Sequence, residues 1–309
     1  MFDRSSGDSP RDQAQRPIRL ALVVLGGLVA GLILAASIVG AHHFQDGTMG
    51  SGQDAHAYWL ALRGAPYVAT AGEYGAYLYS PSFLQALSPM LALAWPQFLA
   101  LWTALLLGAL LALCGPVLFA VALPLAFFEI WGGNIHLLLA LAIVIGFRHP
   151  ASWAFVLLTK VTPGIGLIWF AVRREWRHLG VAGGATALVI GLSLAFDPNV
   201  WRSWVDLLAG QASSSPPTGS IGIPIGIRLP IAAVVIAYAA AYNRRWLVPF
   251  GVFLAMPVMW WGGISILLAS LALERDNLER RLLQAVADLR VATGRPSVAQ
   301  PQWVPEPEG

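Results

Sequence analysis

Apolar residues form long runs along this chain, and polar residues gather between the runs. A helix needs about 20 apolar residues to cross the ~30 Å hydrocarbon core of a bilayer. The runs therefore predict membrane spans, several of them short, at residues 20–40, 82–95, 98–113, 117–131, 135–147, 151–172, 179–196, 224–242 and 246–273. Pro257 interrupts the last run, which is either one kinked span or two short ones. We favour two short spans.

The pattern thus predicts an all-α polytopic membrane protein with 9–10 transmembrane helices in residues 20–273. Several of these helices are broken by proline or glycine. Short and interrupted helices occur at membrane depth only where their backbone packs on protein or lines a cavity. We therefore expect a hollow core, and no simple bundle.

The longest polar interruption in the first two thirds of the chain is the loop of residues 41–80, and a second loop covers residues 197–222. A connection between two helices can be as short as four residues, so a loop of about forty residues is expected to carry function. Its candidate side chains are two aspartates and three histidines, namely Asp46, Asp54, His42, His43 and His56. The alternative is an ordered lid without chemistry.

Composition agrees with a membrane protein: 57% of the 309 residues are hydrophobic and 11% are charged, with mean hydropathy +0.65. Soluble domains carry about 25% charged residues. A net charge of +3 is too small to indicate a nucleic-acid partner. Arginines precede residue 20 and recur at Arg173, Arg174 and Arg177, so the positive-inside rule predicts a cytoplasmic polar tail (1–19) and external loops 41–80 and 197–222. The first run is too long for a signal-peptide core and is expected to be retained.

The carboxy-terminal part divides near Gly294. Residues 274–293 place Leu278, Leu282, Val286 and Leu289 on one stripe, which predicts an amphipathic helix that lies on the membrane or pairs with another helix. Residues 294–309 are rich in proline and are expected to be a disordered tail.

Lys160 is the only lysine of the chain and falls near the middle of a predicted span. An ionisable group there costs about 2.5–3.5 kcal/mol on insertion scales and usually faces a wet cavity or an anion. The alternative is a lysine whose stem carries its charge to the interface. Glu129 and Asn134 flank a Gly-Gly break with His136 just beyond, and they are candidates for the same cavity. Glu129 could also be a helix-end cap, and His136 a packing residue.

The acids and histidines of the first loop match no zinc motif. The sequence indicates no cofactor with certainty. The most plausible one is a divalent cation (Mg or Mn) held by Asp54 and a substrate phosphate. The loop aromatics, among them Tyr58, Tyr77 and Tyr79, match either an interfacial belt or a platform for a sugar or a prenyl chain. Sequence leaves both open.

Five short motifs, taken in order, resemble a known family. They are Asp54 in QDAHAYWLALRGAPY, Tyr77 to Pro81 (YLYSP), Gly133-Asn134 at a helix start, Lys160 with Pro163 followed by a basic loop, and Ser220 to Arg228 (SIGIPIGIR). Their order over residues 20–270 is similar to that in the GT-C superfamily of glycosyltransferases, specifically family 87. This is the DUF2029 group of polyprenol-phosphate-mannose-dependent mannosyltransferase-like proteins. The chain is shorter than most members of that family.

The resemblance implies an integral membrane glycosyltransferase in a bacterial plasma membrane, with its active site facing outside. It would transfer a hexose, mannose by analogy, from a polyprenyl-phosphate donor to a hydroxyl of a glycan or glycolipid acceptor, with inversion. Asp54 would be the catalytic base, and Lys160 and Arg228 would face the phosphate, with Arg63 a weaker candidate. The further substrate-binding candidates are Tyr58, Tyr77, Tyr79, Asn134, His56 and Glu129.

Two alternatives remain open at this stage. The first is a non-catalytic relative that binds lipid phosphate or glycan. The second is a transporter of small solutes or lipids, in which Lys160 and Glu129 would form a coupling pair. The enzyme hypothesis predicts that Asp54 and Lys160 open into one outward-facing cavity.

Overall fold

The computed structural model describes residues 10–43, 51–212 and 220–292. In these ranges the chain consists of helices joined by turns and loops, and it contains no strand. The α-helices, in chain order, are α1 (Pro10–His42), α2 (Gln53–Ala61), α3 (Pro81–Leu87), α4 (Trp95–Gly132), α5 (His136–Gly146), α6 (Trp153–Thr159), α7 (Ile168–Val172), α8 (Trp176–Phe196), α9 (Pro198–Ala212), α10 (Ile225–Ala241), α11 (Val248–Leu254), α12 (Leu268–Leu273) and α13 (Arg275–Ala292). Short 3₁₀ segments join them at Ser88–Met90, Pro150–Ser152, Thr162–Leu167, Arg245–Leu247 and Trp261–Leu267.

Three helical stretches are long and apolar enough to cross a membrane: Gln15–His42, Trp95–Gly132 and Trp176–Phe196. In the first and the third, only 11% of the most apolar window is buried in the protein. A helix that is apolar all round and still exposed is typical of a membrane span. The predicted all-α class is confirmed for the described residues, and the number of crossings stays a prediction.

Helix α4 is a hairpin of two arms that meet at Gly115. The backbone of Gly115 has φ 71° and ψ 168°, which is not helical, and Pro116 follows it. Trp102 and Gly133 are 31 positions apart, a rise of about 46 Å in a continuous helix, yet the Trp102 indole N–H donates to the Gly133 carbonyl at 2.7 Å. The chain therefore doubles back, and the arms correspond to the predicted spans 98–113 and 117–131.

The predicted span at residues 82–95 is wrong. This stretch forms α3, with seven residues, and the 3₁₀ segment Ser88–Met90, which together are too short to cross a bilayer. Arg63 ties the end of this stretch to the first loop, because its guanidinium donates to the carbonyls of Leu91 and Leu93. Hydropathy misled here because the stretch is apolar although it contains Pro89, which limits the helix.

The predicted span 151–172 is also a hairpin, with Lys160 at its turn. Its legs are Pro150–Thr159 and Thr162–Val172. A side chain on Gly166 would collide with the ring of Trp153, although one continuous helix would hold these positions about 20 Å apart. The Thr162-Pro163 step, where Pro163 cannot donate a backbone hydrogen bond, permits this reversal.

A second short hairpin has the legs Arg245–Leu254 and Trp261–Leu273. Its far ends meet where the Ser270 hydroxyl donates to the Trp246 carbonyl at 2.7 Å. Residues 246–273 therefore form two segments around Pro257 and not one kinked helix, and the two short spans predicted for them stay a prediction. Its turn touches the first hairpin, since the Thr162 hydroxyl donates to the Ala255 carbonyl at 2.5 Å.

The elements define two ends of the molecule. We call the end that holds Asp54, α2, α3 and α9 the Asp54 end. The other end, which we call the basic end, holds the turns that contain Arg148, Arg173 and Arg245 together with the start of α13. The predicted external loop 197–222 is largely helix α9, whose Trp201 and Trp204 pack on Leu158.

Helix α13 covers the predicted amphipathic segment 274–293 and pairs with α1. Leu283 is fully buried against Ile18 and Val117. Arg19 and Glu279 form an ion pair at 3.3 Å. The sequence left open whether this helix lies on the membrane or pairs with another helix, and in the structure it pairs with α1. The polar tail before residue 10, the Pro-rich tail 294–309 and Asp46 lie outside the described residues.

Candidate functional site

Helix α2 places Asp54 over the joint between the two arms of α4. Gly52, just before the helix, has φ 79°, and its amide donates to the Trp131 carbonyl at 2.6 Å. A side chain at Gly52 would collide with Leu99 at 2.5 Å. Glycine at this position therefore lets α2 sit directly on both arms, with Asp54 in its first turn.

The Asp54 carboxylate is partly buried and has one side-chain hydrogen-bond partner among the described residues. Its Oδ2 accepts a hydrogen bond from the Asn134 side-chain amide at 2.9 Å. Gly132 lies against the same oxygen, where a Cβ would be 3.3 Å away. Burial raises the pKa of Asp54 to about 6, while the Asn134 hydrogen bond opposes that rise. A carboxyl group with this pKa can give or take a proton near neutral pH.

Asn134 is the centre of the hydrogen-bond network around Asp54. Its Oδ1 accepts from the Ile135 amide at 2.7 Å and from the Tyr79 hydroxyl at 3.2 Å. Gly133 before it has φ 74°, and a Cβ there would lie 2.7 Å from that of Ala55. These contacts leave the Asn134 amide one orientation, in which its N–H points at Asp54.

The three loop tyrosines proposed as substrate contacts form packed core. Tyr58, Tyr77 and Tyr79 are 1%, 0% and 7% exposed. The hydroxyls of Tyr58 and Tyr79 lie 3.1 Å apart, and burial raises the pKa of Tyr58 and Tyr77 well above the usual value. The rings pack edge to face with one another and with Phe83. The Tyr79 hydroxyl holds Asn134, and the rings of Tyr58 and Tyr77 pack against Tyr79; contact of the three side chains with a substrate stays a prediction.

A second polar chain runs beside Asp54 from Glu129 through His136 to Lys160. Glu129 accepts from the backbone amide of His136, and its Oε2 lies 2.8 Å from the ring Nδ1. The Lys160 ammonium lies 2.8 Å from the His136 Nε2. Because lysine can only donate, these partners assign the ring proton to Nδ1, which donates to Glu129.

The two chains meet around Tyr79 and Asn134. The Lys160 ammonium is 5.7 Å from the centre of the Tyr79 ring, and the Asn134 backbone amide is within 3.3 Å of the Glu129 carbonyl. Glu129 raises and Lys160 lowers the pKa of Asp54 by their charges. Asp54 and Lys160 therefore lie close enough for their charges to interact, and both side chains keep some exposure.

The wet cavity expected between Asp54 and Lys160 stays a prediction. Two cavities in the described part of the chain lie elsewhere, one at the basic end and one in an apolar groove between α1 and α4.

Arg228, expected at the phosphate, lies in a different environment. Its guanidinium is 4% exposed and donates to the carbonyls of Ile223, Leu254, Met256 and Pro257 at 2.7–3.2 Å. These bonds clamp the turn of the second hairpin to the start of α10. The geometry gives Arg228 a structural role, and its contact with a substrate stays untested.

His56 and Arg63 are likewise engaged in the first loop. The His56 Nδ1 lies 2.7 Å from the Tyr74 hydroxyl, and its ring packs between Trp59 and Trp95. The Arg63 guanidinium lies 4.1 Å from the centre of the Trp59 ring, besides its bonds to backbone. A contact of either side chain with a substrate stays a prediction.

No group of three or more His, Cys, Asp or Glu side chains that could hold a metal ion occurs in residues 10–43, 51–212 and 220–292. The residues near Asp54 thus provide one carboxylate for a cation, and a substrate phosphate would have to complete its ligands. The divalent cation stays a prediction.

Sequence reasoning missed the glycines of the second hairpin. Trp-Gly-Gly occurs at residues 131–133 and again at 261–263, and both copies border Glu129. A Cβ on Gly262 would lie 3.3 Å from Glu129 Oε2, and one on Gly263 would lie 3.7 Å from the His136 ring. The repeated tripeptide was the available signal.

Comparison of the chain with protein-family models, with curated proteins and with solved structures gives no match. The site is therefore interpreted from its own geometry.

Proposed function

We propose that this chain is an integral membrane glycosyltransferase of the GT-C type. The donor is a hexose, mannose by the motif resemblance, carried on a polyprenyl phosphate, and the acceptor is a hydroxyl of a glycan or glycolipid. The acceptor oxygen forms a bond to the anomeric carbon while the bond from that carbon to the phosphate oxygen breaks. Polyprenyl phosphate leaves, and the configuration inverts.

The observation that carries the proposal is the pairing of Asp54 with Asn134 beside the polar chain that ends in the Lys160 ammonium. Asp54 takes the acceptor proton, which requires a carboxylate within ~2.6–3.2 Å of the hydroxyl. A pKa of about 6 suits a base that works near neutral pH. One Asp54 oxygen is held by Asn134, and the other is the oxygen assigned to the acceptor.

Lys160 serves the leaving group. Its ammonium donates one hydrogen bond to His136, and no other hydrogen bond of this group is found in the described part of the chain. Two N–H groups are thus assigned to the phosphate, where negative charge accumulates as the sugar departs. Glu129 and His136 position the ammonium and balance its charge.

The arginines give the orientation of the proposed enzyme. Arg148, Arg173, Arg174 and Arg245 lie at the basic end, and by the positive-inside rule this end faces the cytoplasm. The Asp54 end then faces outward, in a plasma membrane, where a lipid-linked sugar in the outer leaflet can reach it.

The direct test is sugar transfer by purified protein given a radiolabelled polyprenyl-phosphate hexose and a panel of glycan and glycolipid acceptors. Asp54→Asn is expected to lower kcat by about 10²–10⁴-fold, the usual contribution of a general base. Asp206→Asn, which changes an exposed carboxylate on α9, is the matched control and is expected to retain full activity. Undiminished transfer by Asp54→Asn would exclude Asp54 as the base.

The pH dependence gives an independent check. Asp54 must be ionised to act, so kcat is expected to rise about tenfold per pH unit below about pH 6 and to level off above it. A flat profile across that pKa with chemistry rate-limiting would contradict the assignment. Addition of EDTA, followed by Mg²⁺ or Mn²⁺, tests the proposed cation in the same assay.

One observation favours a transporter as second candidate. Buried ionisable chains such as Glu129–His136–Lys160, placed where broken helices meet, also mark coupling sites of transporters. Proteoliposomes holding the protein separate the two functions. Solute uptake that disappears in Lys160→Gln, without any sugar transfer by the wild type, would select the transporter.

A further inference from the structure

A cavity of about 700 Å³ lies at the basic end, away from Asp54. It is enclosed by the end of the first arm of α4, the end of α5, the turn before α11 and the start of α13. The proposed sugar transfer does not use it.

Arginines dominate the polar wall of this cavity. Arg148, Arg245, Arg275 and Arg280 line it together with His149. The Arg148 and Arg245 side chains are exposed, and within the described residues neither takes part in a hydrogen bond or an ion pair; Arg245 lies over the Phe147 ring at 5.6 Å.

The acidic side chains of the same wall are engaged with their own neighbours. Glu274 accepts from Asn277 at 2.9 Å, and the Asp276 carboxylate lies 3.8 Å from the Arg275 guanidinium. The Arg280 guanidinium donates to the Asn277 side chain at 2.7 Å. Four arginines against two carboxylates leave this wall net positive, and within the described residues neither carboxylate pairs with Arg148 or Arg245.

The floor of the cavity is apolar. Leu113, Val144 and Phe147 line it, and so does Ile145, which is 39% exposed on the outer face of α5. A site with a cationic rim and an apolar side that opens to the surface fits an amphiphile better than a water-soluble anion.

We propose that this cavity binds the phosphate headgroup of an anionic phospholipid of the cytoplasmic leaflet. Arg148 and Arg245 grip the phosphate oxygens, since the guanidinium fork matches phosphate geometry. One acyl chain leaves over Ile145. Basic pockets between helices at the cytoplasmic face are known to recognise such headgroups. The bound lipid would join the α5 turn, the second hairpin and α13 at one point.

The test is native mass spectrometry of the full chain in detergent, titrated with dioleoyl phosphatidylglycerol or dioleoyl phosphatidylcholine. The wild type is expected to prefer phosphatidylglycerol. Arg148→Gln and Arg245→Gln are each expected to weaken its binding about fivefold, and the double variant about 25-fold. Arg177→Gln removes an exposed arginine of the basic end outside the cavity and is the matched control, expected to change binding less than about twofold.

Each outcome decides a part of the proposal. Equal loss in the double variant and in Arg177→Gln would overturn the site and leave general attraction to a cationic face. If inorganic phosphate raises the melting temperature of the wild type but not of the double variant, and lipid adds nothing, the anion site stands and its lipid source is wrong. Because the Arg148 and Arg245 side chains are exposed, the double variant should keep the melting temperature of the lipid-free wild type. A large drop would show that the two side chains stabilise the fold and would contradict their assignment to a ligand.

Discussion

The two short hairpins each have a cation at the turn, and the two cations are held in opposite ways. Arg228, at the start of α10, is buried and donates to three carbonyls at the turn around Pro257 and to the carbonyl of Ile223. Lys160, at the turn of the other hairpin, is partly exposed and donates to one histidine. A buried guanidinium that donates to several backbone carbonyls fixes the backbone around it, whereas an ammonium that donates to one side chain has N–H groups left for a substrate. The positions of Arg228 and Lys160 in the predicted spans did not distinguish their roles, whereas their hydrogen-bond partners do.

Lys160→Gln has the largest expected effect and tests most directly whether Lys160 and Arg228 differ in role. Glutamine can still donate to His136, so the fold is expected to hold, with a melting temperature close to that of the wild type. Transfer is expected to fall about 10²–10³-fold, as when one donor to a developing negative charge is removed. Lys160→Arg, which keeps the charge, should recover part of the rate. Loss of the fold in both variants would show that Lys160 is structural, as Arg228 is.

The opposite result is expected for Arg228→Gln. Several carbonyls around Pro257 lose their donor, and we expect the protein to lose about 3 kcal/mol of stability. Denaturation in detergent measures this loss. The fraction that remains folded should transfer sugar at a near-normal rate. Arg228→Lys keeps the charge but lacks the guanidinium fork, so its stability should fall between those of the wild type and Arg228→Gln. A stable but inactive Arg228→Gln would instead place this arginine at the substrate.

Asp54→Asn sharpens the comparison from the side of the acid. The folded protein holds the Asp54 pKa near 6, above its usual 3.8, so the folded state binds this proton more tightly than the unfolded chain does. Ionised Asp54 therefore costs stability as pH rises from about 4 to about 6, and the cost remains above that. We expect Asp54→Asn to be more stable than wild type at about pH 7.5, by about 1–3 kcal/mol, and no more stable at about pH 4. Lower stability of Asp54→Asn than of the wild type at about pH 7.5 would contradict the conclusion that ionised Asp54 destabilises the folded protein.

The smallest expected effect comes from Asn134→Ala. Removal of the amide takes away a hydrogen bond that stabilises ionised Asp54, so the pKa of Asp54 should rise and the acid limb of the pH–rate profile should move to higher pH. The plateau rate at high pH should fall less than in Asp54→Asn. A profile that moves to lower pH would show that Asn134 does not act through Asp54.

Much of the fold was accessible from the apolar runs, because burial in lipid constrains composition strongly. The runs located α1, α8 and both arms of α4 close to their observed positions. The apolar runs could not show where the chain reverses its direction. Residues 151–172 match one span by hydropathy although the chain turns at Lys160, since an apolar leg that goes halfway and returns has the same hydropathy as one that crosses.

The site was predicted in its parts and not in its connections. Lys160 was identified because it is the only lysine and lies among apolar residues, and Asp54 because it lies in the long loop beside aromatic residues. The bond between Asp54 and Asn134 joins positions 80 apart, and it depends on glycines at 132 and 133 that let α2 approach α4. Such an approach is decided by packing, which no local pattern encodes.

The reversal at Gly115 decides which end of the molecule the second arm of α4 reaches. A straight helix of the 38 residues of α4 would carry Glu129 and Asn134 to the end opposite Asp54. Because the chain turns back at Gly115, both residues return to the Asp54 end, where Asn134 meets an acid that lies 80 positions earlier in the chain. The assembly of the site thus depends on a backbone conformation that a residue without a side chain adopts readily.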